Sequence, residues 1–168
     1  MGRTHRIIAL LVGAAGLIVA GSGTALADNG SGRYQIHSTP FTSSVCGFEV
    51  NATFPIDREY ETDVYDASGS LVRSTVTGAL FMQLTRVDTG QSIERNLSGK
   101  GIYDFHPDGS FTLTDEGHLL YGLHPGDTPD QPGLYVTSGR TVIDFTAAGQ
   151  RTVTQSAGQA ENVCTTLG

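Results

Sequence analysis

The stretch GKGIYDFHPDGSFTLTDEGHLL, residues 99–120, indicates the fold of this chain. Residues 106–109, His-Pro-Asp-Gly, fit a three-residue hairpin loop whose last position suits glycine, because glycine has no Cβ to clash at positive φ. If His106 pairs with Ser110, the two flanking segments form an antiparallel ladder. The ladder then has an apolar face and a polar face, with the pairs Tyr103–Leu113, Phe105–Phe111 and Lys100–Glu116.

The same kind of turn recurs along the chain. Glycine ends the sequences at 66–69, 88–90, 106–109 and 147–149, and a longer loop lies near 125–133. These breaks leave six segments rich in β-formers, at 46–65, 70–87, 91–105, 110–124, 133–146 and 150–164. A straight strand of about 15 residues would approach 50 Å, so we expect the strands to bend. Glycines within the segments mark the bends, at Gly78, Gly99, Gly101, Gly117, Gly139 and Gly158.

The N-terminus has the pattern of a secretory signal peptide. Two arginines precede the uncharged run at 7–20, and a small-residue region ends in Ala-Leu-Ala at 25–27. We therefore predict a signal peptide at 1–27, a polar lead-in at 28–45 with a short strand near 34–36, and a single domain at 46–168. The protein is predicted to be secreted.

The two cysteines, Cys46 and Cys164, are predicted to form a disulfide. Exported proteins meet an oxidising compartment, in which an even pair is read as a bridge. Cys46 begins the first segment and Cys164 ends the last, and an even number of antiparallel strands brings those points to the same end of the sheet. We therefore predict an all-β fold, an antiparallel meander of six long bent strands (eight if the first two segments are split) forming a closed or nearly closed β-barrel. A β-sandwich is the alternative.

Charge and motifs limit the classes of function. Without the leader, eight basic residues face 17 acidic ones, a net charge of about −9. Such a chain is repelled by nucleic acid and by anionic membrane surfaces, so we expect neither as a partner after signal cleavage. The chain contains no GxSxG, HExxH, Walker or dinucleotide-binding motif, and we expect no cofactor and no metal. Whether the protein is an enzyme is left open, and no catalytic residue is assigned.

The hairpin register places polar residues on its apolar face. Extended along both segments, the register pairs Arg95 with Tyr121 and Leu97 with Leu119, and it puts Asp115 opposite Gly101. These positions either touch water at a barrel rim or form a polar cluster in a ligand cavity. The candidate ligand-binding residues on this face are Arg95, Tyr103, Asp115, Leu119 and Tyr121.

The loop HPGDTPDQPG, residues 124–133, is a second candidate. Long ordered loops at a barrel mouth are often functional, and His124 and Asp127 would be polar ligand-binding groups there. A plain connection between strands is the alternative. The alternating carboxylates of residues 57–63 predict a solvated outer stripe, with a weak calcium site as the alternative.

The stretches CGFEV (46–50), FHPDGSFTLT (105–114) and PGLYVTSGR (132–140) resemble small secreted proteins of unknown function from high-GC Gram-positive bacteria. At the level of architecture, the chain is similar to calycin and allene-oxide-cyclase-like barrels. The resemblance implies a barrel but no activity. The chain has no tryptophan, so the lipocalin Gly-x-Trp signature is missing, and no cyclase motif is present.

Three classes of function fit these observations. The first is a secreted barrel that binds a small, partly apolar ligand. The second is a protein-interaction or inhibitor module that uses the 124–133 loop to bind a protein partner. The third is a barrel isomerase, cyclase or hydrolase, which needs Asp115 with a raised pKa beside Arg95 or Tyr121.

Overall fold

The computed structural model describes residues 32–168, which form one antiparallel sheet of ten strands and a short C-terminal helix. In chain order the elements are β1 (Arg33–Ile36), β2 (Phe41–Ser43), β3 (Val50–Tyr65), β4 (Leu71–Arg86), β5 (Ser92–Asn96), β6 (Gly99–Phe105), β7 (Phe111–Leu123), β8 (Gly133–Phe145), β9 (Arg151–Ala157), β10 (Ala160–Asn162) and α1 (Val163–Leu167). The predicted all-β, antiparallel class is confirmed. The expected signal peptide, residues 1–27, lies outside the described residues, and β1 and β2 both lie within the 28–45 segment.

Three long strands change partner near their middle. β3 pairs first with β2 and then with β1, β4 pairs first with β6 and then with β5, and β8 pairs first with β10 and then with β9. The sheet therefore has two parts. We call the part with β2, β5 and β10 the disulfide half, and the part with β1, β6 and β9 the distal half.

The sheet is not closed. Its order is β1-β3-β4-β6-β7-β8-β10, and no ladder joins β1 to β10 within residues 32–168. No ladder joins β1 to β9 in the distal half or β2 to β10 in the disulfide half among these residues either. The expected closed barrel is therefore not confirmed, and the topology is compatible with an open sheet or with the alternative β-sandwich.

The strand count is ten, whereas six or eight were expected. The expected splits fell in the first two segments, but β3 and β4 are continuous strands of 16 residues each. The breaks lie instead between β5 and β6, at Leu97 and Ser98, and between β9 and β10, at Gly158. At the first break the backbone N–H of Leu80 donates to Ser98 Oγ at 3.1 Å, so a side chain replaces a ladder hydrogen bond.

The β6–β7 hairpin has the predicted register from Gly99–Gly117 to Phe105–Phe111. The N–H of His106 donates to the carbonyl of Ser110 at 2.9 Å, which closes the three-residue loop. Beyond Gly99 the predicted pairing of Arg95 with Tyr121 is wrong. β5 follows β4 and leaves β7, so Arg95 faces Met82 instead.

A row of directly paired glycines crosses the sheet where the two halves meet, formed by Gly78, Gly99, Gly117 and Gly139. The bend is sharp at Gly139. Its sharpness is seen in the hydroxyls of Thr137 and Thr141, which lie only 3.1 Å apart. Four residues of a straight strand would span about 13 Å. Gly139 has φ +90°, and a Cβ there would lie 2.5 Å from the carbonyl oxygen of Ala157.

Replacing Gly139 by alanine should destabilise the protein by about 3 kcal/mol, because the new Cβ combines a strained backbone with a backbone clash. Urea unfolding of the oxidised protein measures this loss. Gly101→Ala is the matched control, since its Cβ would meet its nearest neighbours at 3.6 Å, an ordinary contact. Wild-type stability in Gly139→Ala would show that the glycine row does not impose the bend.

One apolar core fills the disulfide half. It joins side chains of β3 and β4 to side chains of β7, β8 and α1: Val50, Ala52, Leu80, Met82, Leu84, Leu97, Leu120, Leu134, Val136, Val163 and Leu167. The predicted disulfide is confirmed. Cys46 and Cys164 are bonded with their Cα atoms 5.0 Å apart, and both pack against this core.

Candidate functional site

Strand β3 has its charges directed inward. Its alternating carboxylates lie on the inner face of the distal half, which we define as the face that carries Glu59, Tyr103 and Asp115. Glu59 is only 9% exposed, whereas Tyr60 and Val64 on the opposite face are 37% and 49% exposed. The expected solvated outer stripe is therefore wrong, and β3 has the reverse of the usual polarity.

Residues in and after β1 cover part of these carboxylates. Ser38 donates its backbone N–H to Asp57 at 2.6 Å and its hydroxyl to Glu59 at 3.3 Å. Tyr34 donates its hydroxyl to Asp63 at 3.0 Å. Across the ladder, the hydroxyl of Ser74 donates to Glu61. The lead-in segment thus closes the inner face at the β1 edge.

Tyr103, Leu113 and Asp115 converge above Gly101. A Cβ on Gly101 would lie 3.6 Å from both the Tyr103 ring and the Leu113 side chain, and 4.0 Å from Asp115 Oδ2. Glycine at this position therefore leaves space beneath an aromatic ring, an apolar side chain and a carboxyl group. We call Glu59, Tyr103 and Asp115, with Gly101 beneath them, the inner acidic site.

The pKa values of both carboxyl groups in this site are raised towards neutral pH. Burial raises the pKa of Glu59 to about 7, and repulsion from Asp57 and Asp115 acts in the same direction against the Ser38 hydrogen bond. Burial also raises the pKa of Asp115 to about 6, although the nearby His118 opposes this shift. Both groups are thus short of compensating positive charge.

Asp115 is 6% exposed, and its carboxyl group makes no hydrogen bond to the side chains and backbone groups that the structure describes. Burial raises the pKa of the Tyr103 hydroxyl. The nearby carboxyl groups of Glu59, Asp115 and Glu61 raise it further. The Tyr103 ring thus has desolvated carboxyl groups nearby and packs against the rings of Phe105 and Phe111.

Arg95 lies outside this site. Its guanidinium makes a two-pronged ion pair with Glu161 on β10, at 2.6 Å and 2.5 Å. The pair borders an open groove of about 300 Å³, which His118 and Ser138 also line. The groove occupies the gap where β5 leaves β7, and the ion pair bridges that gap.

Leu119 and Tyr121 lie beyond the glycine row, in the disulfide half. The rings of Tyr121 and Tyr135 stack with their centroids 5.5 Å apart, and Leu119 is the cross-strand partner of Thr137. Burial raises the pKa of Tyr121. The bend at Gly117 separates both residues from Asp115 along β7, so the structure does not group them with the inner acidic site.

His124 and Asp127 lie apart from both of these regions, on the loop that follows β7. Asp127 is 6% exposed and accepts hydrogen bonds from the backbone N–H groups of His124 and Arg151, each at 2.8 Å. The Arg151 guanidinium also donates to the carbonyl of Gly122 at 2.6 Å. Asp127 therefore links the loop to the start of β9 through hydrogen bonds. Both of its carboxylate oxygens already accept hydrogen bonds from the protein.

No group of three or more His, Cys, Asp or Glu side chains suited to a metal ion occurs in the described part of the chain. Over the same residues, no helix is long and apolar enough to cross a membrane. Comparison of the sequence and structure with protein-family models, curated proteins and solved structures finds no match.

The sequence correctly placed Tyr103 and Asp115 on one face, but it did not place Glu59 with them. The alternation in residues 57–63 correctly put four carboxylates on one face of the strand. That face was predicted to point to solvent, whereas it points inward. The signal that could have found this orientation is the other face of the same strand, where Tyr60 and Val64 flank Thr62 and form a stripe of the kind that normally points inward.

Proposed function

We propose that the protein binds a small, partly apolar molecule at the inner acidic site. The observation that carries this proposal is the Asp115 side chain, which is 6% exposed and whose carboxyl group has no hydrogen-bond partner in the described part of the chain. An unsatisfied buried polar group costs about 1–3 kcal/mol. Such groups recur where a ligand completes the hydrogen bonds, and ligand sites combine an apolar lining with a few placed polar groups.

The surroundings of Asp115 support the same proposal. Tyr103 and Leu113 supply the apolar lining, and Gly101 keeps the space between them free of a side chain. The reversed polarity of β3 places Glu59 on this face at a cost in stability. Departures from the usual pattern are expected where a site serves function, so the reversal favours a ligand site over a purely structural role.

Gly101→Val tests this function because the valine side chain would fill the space below Tyr103 and Asp115. The probes are three small aromatic molecules of one shape and different charge: phenethylamine, 2-phenylethanol and phenylacetate. We expect at least one probe to shift the amide resonances of Gly101, Tyr103 and Asp115 saturably in the oxidised protein. Gly101→Val should weaken that binding at least about tenfold.

Ala148→Val, in an exposed turn, is the matched control and should bind the probe like the wild type. If no probe perturbs the inner acidic site, or if Gly101→Val binds as tightly as the wild type, the proposed function is wrong. Circular dichroism of each variant shows whether the fold is kept.

Acid–base catalysis at the same site is the second candidate. The observation that favours it is the pair of carboxyl groups with pKa values of about 7 and about 6, which lie near the range that a general acid or base needs. The predicted partners Arg95 and Tyr121 lie elsewhere, so Glu59 and Tyr103 would assist Asp115. Turnover of a bound compound that disappears in Asp115→Asn while binding persists would select catalysis over binding alone.

We also infer that the protein works outside the cytoplasm. The Cys46–Cys164 disulfide supports this location, because disulfides form and persist in oxidising compartments. The predicted signal peptide at 1–27 would supply the route. Detection of the chain in the culture medium, beginning at Asp28, would test both statements.

A further inference from the structure

We propose that the ligand of the inner acidic site is an organic cation, an amine whose positive group lies between Glu59 and Asp115 and whose apolar part packs against Tyr103 and Leu113. This inference rests on the proposed function, since it names the chemical class of the ligand for that same site.

The first argument is the balance of charge on the inner face. Strand alternation directs Asp57, Glu59, Glu61, Asp63 and Asp115 to this face. The basic groups near it are His118, which lies close enough to lower the pKa of Asp115 and contacts the Ser98 carbonyl at 3.4 Å, and Arg151 and His37 at its two edges. The Arg151 guanidinium binds the Gly122 carbonyl and Asp127, and His37, which is largely exposed, lies 3.7 Å from Asp57. A ligand cation would supply the missing positive charge.

The second argument is that the carboxylates of this face are also short of hydrogen-bond donors. Asp115 is more than nine-tenths buried and has no hydrogen-bond partner in the described residues, and it faces the space above Gly101. Two further carboxylate oxygens, Asp57 Oδ1 and Asp63 Oδ1, are buried with no hydrogen-bond partner among residues 32–168. Two buried carboxylate oxygens on this face therefore lack donors, and an ammonium group carries donors and no acceptor.

The third argument separates an amine from other ligands. An anion would be repelled by the carboxylates, and a neutral hydroxyl would leave their charge uncompensated. The described residues contain no group of three ligands suited to a metal ion. The Tyr103 ring and the Leu113 side chain, each 3.6 Å from a Cβ built on Gly101, offer aromatic and apolar surface for the remainder of an organic molecule. The acidic chain also attracts cations from a distance.

The test is a charge series with one molecular shape. Phenethylamine, 2-phenylethanol and phenylacetate are titrated calorimetrically into the oxidised protein at about pH 8, where an alkylamine is protonated. We expect phenethylamine to bind at least about tenfold more tightly than the alcohol, and phenylacetate to bind most weakly. Added salt should weaken the amine and leave the alcohol unchanged.

Two variants then test whether the preference for a positively charged probe arises at the inner acidic site. Asp115→Asn and Glu59→Gln should each weaken phenethylamine at least about tenfold and leave the alcohol within about threefold. Glu94→Gln removes the same charge from an exposed position on β5 and should leave both affinities unchanged.

The outcomes separate the two proposals. If the alcohol or phenylacetate binds at the inner acidic site as tightly as the amine, the cation inference is overturned while the binding function stands. If the amine binds equally well to Asp115→Asn and Glu59→Gln, the inference is overturned as well. If no probe binds at this site, the proposed function fails and the inference fails with it.

Discussion

Replacing both Cys46 and Cys164 by alanine should lower the free energy of unfolding by about 5 kcal/mol. The bridge joins residues 118 apart, and in the chain-entropy model a loop of that length restricts the unfolded chain by this amount. Because a single domain is typically stable by only 5–15 kcal/mol, the variant should be close to unfolding at room temperature. Urea unfolding of the oxidised wild type and the double variant measures the difference.

Alanine suits this experiment because both cysteines pack against the apolar core, where a serine hydroxyl would add a burial cost. Thr165→Ala, on an exposed position beside Cys164 in α1, is the matched control and should change stability by less than about 0.5 kcal/mol. A double variant within about 1 kcal/mol of the wild type would contradict a stabilising role for the bridge.

Raising the pH from about 5 to about 8 should lower the free energy of unfolding by about 4 kcal/mol. The pKa of Glu59 rises from 4.5 to about 7 on folding and that of Asp115 from 3.8 to about 6, so the folded protein holds these protons more tightly. Stability is therefore lost as the pH rises towards the folded pKa values. At about 1.4 kcal/mol per pH unit, Glu59 accounts for about 3 kcal/mol and Asp115 for about 1.

Glu59→Gln should remove most of this pH dependence and stabilise the protein at about pH 8, because the amide carries no charge to desolvate. Urea unfolding of the variant at both pH values measures the effect. Glu94→Gln, which removes an exposed charge, should keep the wild-type dependence. A Glu59→Gln variant with the wild-type slope, or with lower stability at about pH 8, would show that Glu59 is not a desolvated carboxylate.

Local turn chemistry was enough to predict the antiparallel class and much of the pairing. The glycines at 69, 90, 109 and 149 all have positive φ at the ends of hairpin loops. The β6–β7 register followed from one such loop together with the alternation of Tyr103, Phe105, Leu113 and Phe111. Such features depend on neighbours in the chain, so a sequence can specify them without knowledge of distant contacts.

The wrong predictions concern features that depend on contacts between segments far apart in the chain. Arg95 was expected beside Tyr121, but the chain breaks at Leu97 and Ser98 and β5 follows β4. Glu59 was expected in solvent, but Ile36 of β1 pairs with it and Ser38, two residues beyond β1, donates a hydrogen bond to it. In both cases the period-two pattern was correct, and the choice of partner or side depended on segments far along the chain.

The inner acidic site shows how such a failure can point to function. A strand that directs carboxylates inward and Tyr60 and Val64 outward forgoes stability that the opposite register would provide. Natural proteins keep such local costs at functional sites. The same residues that weaken the fold above neutral pH are those that would hold a ligand cation.

The most direct test of this account is a carbon-13 NMR titration of the Glu59 and Asp115 carboxyl groups in the oxidised protein, with and without phenethylamine. The account predicts pKa values of about 7 and about 6 in the free protein, and a decrease in both when the amine is bound. Values near 4 for both groups, unchanged by the amine, would contradict it, because the carboxyl groups would then be neither desolvated nor in need of a cation.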